Sequence, residues 1–236
     1  SITVDILRHK EPSGSYTLDN ILAVGGQKGT GRWTVDAAMR YGVAIPCIIS
    51  AVEARTISSE AFNFPATNYN RTNSSLNDHH ISEITQAFHL TKILIYDQGL
   101  RLIQRASDAE DWNVDVARVL SIWRAGCIIR STMLDEMTRA VTDDSTNPGL
   151  LLKSPQYRNI GEKRTSSLIQ LVTSALVNRL PVPVLSSALN YLITLESDSL
   201  PMNLVQAQRD LFGAHTYEKI NQPRGDFFHT DWAVST

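Results

Sequence analysis

The sequence predicts an all-α fold, a duplicated helical bundle whose first repeat is truncated. Three observations lead there. Apolar positions recur at three- and four-residue spacing over most of the chain, strand-like alternation is nearly absent, and one helix–loop–helix segment recurs at a fixed offset.

Taken in order, the elements announce themselves through periodicity and boundary residues. Only Ile2 to Ile6 alternates like a strand, and it is short enough to be helix or strand. Thr30 is placed to cap a helix that stops at Gly42, and Pro46 suits the first turn of the next, where its missing N–H is no loss. Thr67 to His80 is rich in Asn, Ser and Thr and reads as a surface loop. From Ile81 the small or apolar positions Ile84, Phe88, Thr91, Ile95, Gly99, Leu102 and Ala106 form one stripe of a long central helix. Gly99 costs roughly 1 kcal/mol against Ala there, which predicts that another backbone packs close to it. A second long helix is expected from Val114 to Met137, with Leu120, Cys127, Ile128 and Leu134 facing inward. A helical run from Ile169 to Asn178 follows, then a helix opened by Pro181 or Pro183, and Gly213 can end the last one.

The repeat lays Asp36–Ala51 over Thr173–Ala188 at a constant offset of 137 residues, the separation of Pro46 and Pro183. Ala38/Ala175, Pro46/Pro183, Ser50/Ser187 and Ala51/Ala188 are identities, and both copies share a helix–loop–helix pattern around the proline. Two unrelated proline-initiated helix pairs are the competing explanation. If the duplication holds, counterparts of the long helices that precede the second copy fall before residue 1. A first repeat missing its opening helices is the expectation.

Composition narrows the function classes. At 236 residues the chain suits one continuous core and leaves little room for a second full domain. A net charge of −2 and a pI near 6.3 argue against nucleic acid or an anionic membrane as partner, so any anion must be held by a few local cations. Cys47 and Cys127 lie in apolar runs and suggest a reducing, cytoplasmic setting rather than a disulfide framework. No stretch has the length or apolarity of a membrane span, and Ser1 to Lys10 does not read as a secretory signal. His79, His80, His89 and His229 have no carboxylate or cysteine at ligand spacing, so no metal is expected. No nucleophile-elbow motif accompanies a Ser-His-Asp set.

The most unusual stretch is Gly25–Trp33 (GGQKGTGRW). It fits a phosphate loop superficially, yet Arg32 and Trp33 stand where Lys and Ser/Thr belong and no apolar strand precedes it. No G-x-G-x-x-G dinucleotide fingerprint follows a strand anywhere. What survives is an anion site in which glycines let backbone approach a ligand, a helix begins at Thr30, and Lys28 adds charge. A flexible turn with a solvated lysine is the alternative. Arg55, on the helix opened by Pro46, reads alone as a solvated residue or a partner of Glu53 or Glu60. Arg209 and His215 lie six residues apart, a spacing that aligns poorly on a straight helix unless Gly213 ends it.

Together these segments have the wording of one family. Gly26–Trp33 (GQKGTGRW), Ala51–Arg55 (AVEAR), Trp123–Ser131 (WRAGCIIRS), Gln206–Glu218 (QAQRDLFGAHTYE) and Phe228–Trp232 (FHTDW) resemble, in order and spacing, the successive signatures of decarboxylating 6-phosphogluconate dehydrogenases, in their C-terminal domain. The resemblance covers essentially the whole chain. It implies a single all-helical domain over 1–236 that binds substrate and forms a homodimer, with the tail 215–236 extended over the partner subunit. It also implies that Lys28 and Arg55 bind 6-phosphogluconate near its phosphate, and that Arg209 and His215 reach the same substrate from the other subunit. Hydrogen bonds to charged groups contribute roughly 1.5 to 3 kcal/mol each, enough for four to anchor a sugar phosphate.

The family reaction, a step of the pentose phosphate pathway and of gluconate utilization, oxidises 6-phosphogluconate with NADP and releases carbon dioxide to give ribulose 5-phosphate. NADP binds an N-terminal Rossmann domain, and the family's catalytic lysine and glutamate lie on a preceding helix. None of these has a counterpart in this sequence, so catalytic and cofactor-binding residues are expected to be absent and the chain alone inactive. Three positions depart from the pattern: Arg32 for a lysine, Ser50 for a common glutamate, and Glu53 for a common aromatic. Glu53, two residues before Arg55, could compete for it. The polar Thr67–His80 loop also looks shortened against the family's. The rival reading is a stand-alone, non-catalytic helical module for dimerisation or anion binding.

Overall fold

The computed structural model describes residues 2–64, 78–124, 127–143 and 151–232. Most of the predicted Thr67–His80 loop, and Ala125 and Gly126 of the WRAGCIIRS segment, lie outside the described residues. The helices are α1 Ile2–Arg8, α2 Thr30–Tyr41, α3 Pro46–Ala61, α4 Asp78–Ala109, α5 Val116–Ile122, α6 Leu134–Asp143, α7 Pro155–Val177, α8 Pro183–Glu196 and α9 Met202–Gly213. Among the described residues β structure is limited to the isolated bridges Lys10–Tyr16 and Tyr217–Phe228. The ambiguous N-terminal stretch is helix. No helix among the described residues is long and apolar enough to cross a membrane.

The chain divides into two compact units, Ser1–Tyr191 and Leu192–Thr236. In the first, α4 is the central element, packing against α2, α3, α5 and α7. Of the predicted stripe Thr91, Leu102 and Ala106 are buried, but Phe88 is 52 % exposed and Ile84 and Ile95 are half-buried; the deepest face is the neighbouring one, with Leu90, Ile93, Leu94 and Leu100 at 1 % exposure or less. Burying each such side chain contributes roughly 1.5 to 3 kcal/mol. Gly99 does not meet its expectation: a Cβ there would find nothing within 4 Å, and nothing in the structure explains the glycine.

The predicted Val114–Met137 helix is two helices, α5 and α6, that pack on each other. Asp115 caps α5 by accepting the Arg118 N–H at 3.1 Å. Leu120, Leu134 and Met137 are fully buried in one cluster with Leu100 and Leu151. A straight helix would hold Leu120 and Met137 about 25 Å apart, so sharing a core requires the chain to reverse between them. Ile128, expected inside, is 90 % exposed, and Cys127 is half-buried with its thiol against the Trp123 carbonyl.

The repeat is legible in the backbone. Gly42 and Arg179, 137 residues apart, both adopt left-handed φ, +65° and +55°. Val43 N–H donates to Ala38 O at 2.9 Å, and Leu180 N–H donates to Ala175 O at 2.8 Å, the same helix-terminating bond at the same offset. Pro46 and Pro183 then open α3 and α8. The left-handed residue, the helix-terminating bond and the proline start coincide at one offset, as the duplication requires.

Two buried polar side chains of α4 tie these elements together. Gln98 accepts the Cys47 N–H at 3.1 Å, satisfying a first-turn N–H of α3 that the helix itself cannot. Asp97 accepts the Leu152 N–H at 3.2 Å, but its other oxygen, 4.0 Å from Arg101, has no hydrogen-bond partner among the described residues. Burial pushes its carboxyl up to about 6, against the pull of that N–H and of Arg101.

Candidate substrate-binding elements

The glycine loop and the α3 turn that carries Arg55 are built as one piece. Gly25 N–H donates to the Ser58 hydroxyl at 2.8 Å, Ser58 in turn donates to the Arg55 carbonyl at 2.7 Å, and the Gln27 amide donates to the Thr56 hydroxyl at 2.9 Å. Glycine is needed twice for close approach. A Cβ on Gly25 would stand 3.1 Å from Arg55 Cγ, and one on Gly31 would stand 2.8 Å from Val52 Cγ2. The loop therefore lies flat on the Val52–Arg55 face of α3, and these two glycines serve helix packing where the sequence suggested ligand approach. Gly29, at φ +93°, is the left-handed residue before α2, so Thr30 is the first helical residue rather than the cap.

Lys28 and Arg55 are both exposed, and neither side chain makes a hydrogen bond or ion pair with a described residue. Glu53, the expected competitor, is exposed and takes no ion pair with Arg55. The two cations therefore sit on tethered segments, unpaired by any described residue.

Arg209 and His215 belong to the second unit. Arg209, exposed on α9, donates to Gln206 Oε1 at 3.0 Å. Gly213 is the last residue of α9, and Ala214 follows at φ +51°. Gly213 has no Cβ to obstruct the returning His215 ring, whose Nε2 would stand 3.0 Å from that Cβ. His215 thus folds back across Gly213 at the end of α9, the turn that a helix stop at that glycine allows.

Among these residues Asp210 is fully buried. Its Oδ1 accepts the Thr216 N–H at 2.9 Å and His229 Nδ1 at 3.0 Å, and its Oδ2 accepts the Thr230 N–H at 3.0 Å and the Trp232 indole N–H at 2.8 Å. Burial works to raise its carboxyl, but the donors from His229, Thr230, Trp232 and Thr216 prevail and hold it well below the usual carboxylate range. The Tyr217–Phe228 bridge, with N–H to O distances of 2.9 and 2.8 Å, closes the same loop. No group of three His, Cys, Asp or Glu suited to a metal occurs among the described residues.

Residues 1–232 match the family described as 6-phosphogluconate dehydrogenase, C-terminal domain. The chain belongs to this family. It is 39 % identical over 237 residues to the decarboxylating 6-phosphogluconate dehydrogenase of Synechocystis sp., covering 98 % of this chain and 49 % of that protein. The enzyme of the same name from Haemophilus ducreyi is 37 % identical over 238 residues, with the same coverage. The solved Plasmodium falciparum 6-phosphogluconate dehydrogenase, described with NADP+ as its cofactor and 6-phosphogluconate as its substrate, superposes with a TM-score of 0.85 at 34 % identity, covering 98 % of this chain and 50 % of that one. The chain spans about half the length of the curated relatives it matches.

Within the family domain, Asp210 is an organising residue that the motif around Arg209 and His215 does not reveal. His229 has no carboxylate at ligand spacing in the sequence, yet its partner is Asp210, 19 residues away, through a pairing that only the returning tail creates. The available signal was the density of donors in FHTDW, close after an aspartate at a helix end.

Proposed function

We propose that this chain is the substrate-gripping and dimerising part of an NADP-dependent decarboxylating 6-phosphogluconate dehydrogenase, a cytoplasmic enzyme of the pentose phosphate pathway. The supporting observation is the tethered pair of exposed cations, Lys28 on the loop and Arg55 on α3. Arg55 presents a planar fork that matches two phosphate oxygens, and Lys28 a compact point charge. Arg209, on α9, and His215, just beyond its end, complete the grip from the other subunit of a homodimer, and the tail 215–236 extends over that subunit. This division leaves oxidation and decarboxylation to residues outside the chain. The described residues have no strand–glycine turn–helix crevice of the kind that holds a dinucleotide, so they do not fit NADP, and its site lies elsewhere in the enzyme.

Thermal denaturation tests the reading. At a 6-phosphogluconate concentration of 100 Kd, the purified chain should gain about 2.7 kcal/mol of stability. Arg55→Ala should abolish that gain while changing the ligand-free melt little, because the Arg55 guanidinium makes no hydrogen bond or ion pair with a described residue. No protection of the unmutated chain would count against the substrate grip.

A further inference from the structure

We infer that Asp210 is a positioning residue for His215, fixing through its own backbone and side chain the turn that aims the imidazole at substrate. The inference rests on the reading of His215 as a substrate-binding residue and adds the device that places it. His215 lies beyond the last turn of α9, so the helix alone cannot orient it. It sits between two non-glycine residues in left-handed conformation, Ala214 at φ +51° and Thr216 at φ +60°. Side chains rarely adopt that region, and a pair so close together persists only where the surroundings over-determine it. Asp210 supplies both constraints. Its carbonyl accepts the Ala214 N–H at 2.8 Å and its carboxylate accepts the Thr216 N–H at 2.9 Å, so the residues on either side of His215 are pinned to one aspartate.

The rest of the carboxylate stiffens this clamp. His229, Thr230 and Trp232 hold Asp210 from the returning tail, and the Tyr217 hydroxyl hydrogen-bonds that of Thr230. A carboxylate accepts only, and four donors converge on two oxygens with none left over. An asparagine cannot replace it. Whichever way the amide is turned, its NH2 faces at least one donor that cannot reverse: the Thr216 N–H, or the Thr230 N–H and the Trp232 indole N–H.

The test is 6-phosphogluconate titration calorimetry on the full chain, for the unmutated protein, Asp210→Asn, His215→Ala and the double variant. Asp210→Asn should raise Kd at least about tenfold, the scale of one lost charge-assisted contact. In the His215→Ala background the same change should raise it less than about twofold, because the group it positions is gone. Trp232→Phe, which removes one donor and introduces no opposing one, should weaken binding in the same direction by less, and it serves if Asp210→Asn does not fold. Equal losses in both backgrounds, or undiminished binding by Asp210→Asn, overturn the positioning role and leave the substrate reading intact. Failure of the unmutated chain to bind overturns the substrate reading, and the positioning role falls with it.

Discussion

Asp97 and Asp210 are both buried carboxylates on helices, and the protein treats them in opposite ways. Asp97, in the middle of α4, has a backbone N–H on one oxygen, an arginine 4.0 Å from the other, and a carboxyl pushed up to about 6. Asp210, one turn from the end of α9, has every acceptor position filled and a carboxyl driven down in spite of its burial. Burial alone therefore does not set the charge state; the number of donors delivered to it does. The well-satisfied carboxylate is the one beside the candidate binding residues, where a fixed geometry is needed.

The contrast gives opposite signs to their contributions to stability. The lowered carboxyl of Asp210 contributes stability that is present above its unfolded value near 3.8 and is lost as pH falls toward the folded value. The raised carboxyl of Asp97 contributes stability that is full below about pH 4 and is lost as pH rises through about 6. Asp210→Asn should produce the largest loss, seen by NMR as broadening of the Trp232 indole N–H and rapid exchange of the Thr216 and Thr230 amides. In the unmutated chain the same signals should weaken only below about pH 4. If Asp210→Asn leaves them protected, the two carboxylates are not different in kind.

Asp97→Asn should go the other way. The rise from 3.8 to about 6 sets an upper limit of about 3 kcal/mol on the gain near pH 8, vanishing near pH 4, measurable by denaturant titration at the two pH values. A loss at pH 8 would mean that the Arg101 pairing outweighs desolvation. Gly213→Ala sharpens the comparison at the Asp210 side with the smallest stability change. Alanine should add up to about 1 kcal/mol of helix preference, while its Cβ displaces the His215 ring. An unchanged or higher melting temperature with weaker 6-phosphogluconate binding is the expected pair of results.

Much of the fold could be read from the sequence because its signals are local. The existence of α4, the Gly42 terminus and the proline starts at 46 and 183 each follow from spacing or from one residue's backbone preference. The reversal between α5 and α6 could not be read this way, since the apolar run continues through Cys127 and Ile128 and only the shared core of Leu120 and Met137 forces the break. At the candidate site Lys28, Arg55, Arg209 and His215 stand out by motif. The fastening of the glycine loop to α3 and the four-donor shell of Asp210 are harder to read, because both pair residues distant in sequence and part of each set, the Gly25, Thr216 and Thr230 N–H groups, is backbone that carries no sequence signal.

The central claim, a substrate site made from Lys28 and Arg55 of one subunit and Arg209 and His215 of the other, is tested most directly by mixing inactive variants. Arg55→Ala and His215→Ala chains, each unable to bind 6-phosphogluconate tightly alone, are unfolded together, refolded in equal amounts and titrated. A site shared across a two-fold dimer predicts that tight binding returns at about a quarter of the sites, since half the dimers are mixed and each mixed dimer holds one intact site. A mixture that binds no better than either variant alone would contradict it.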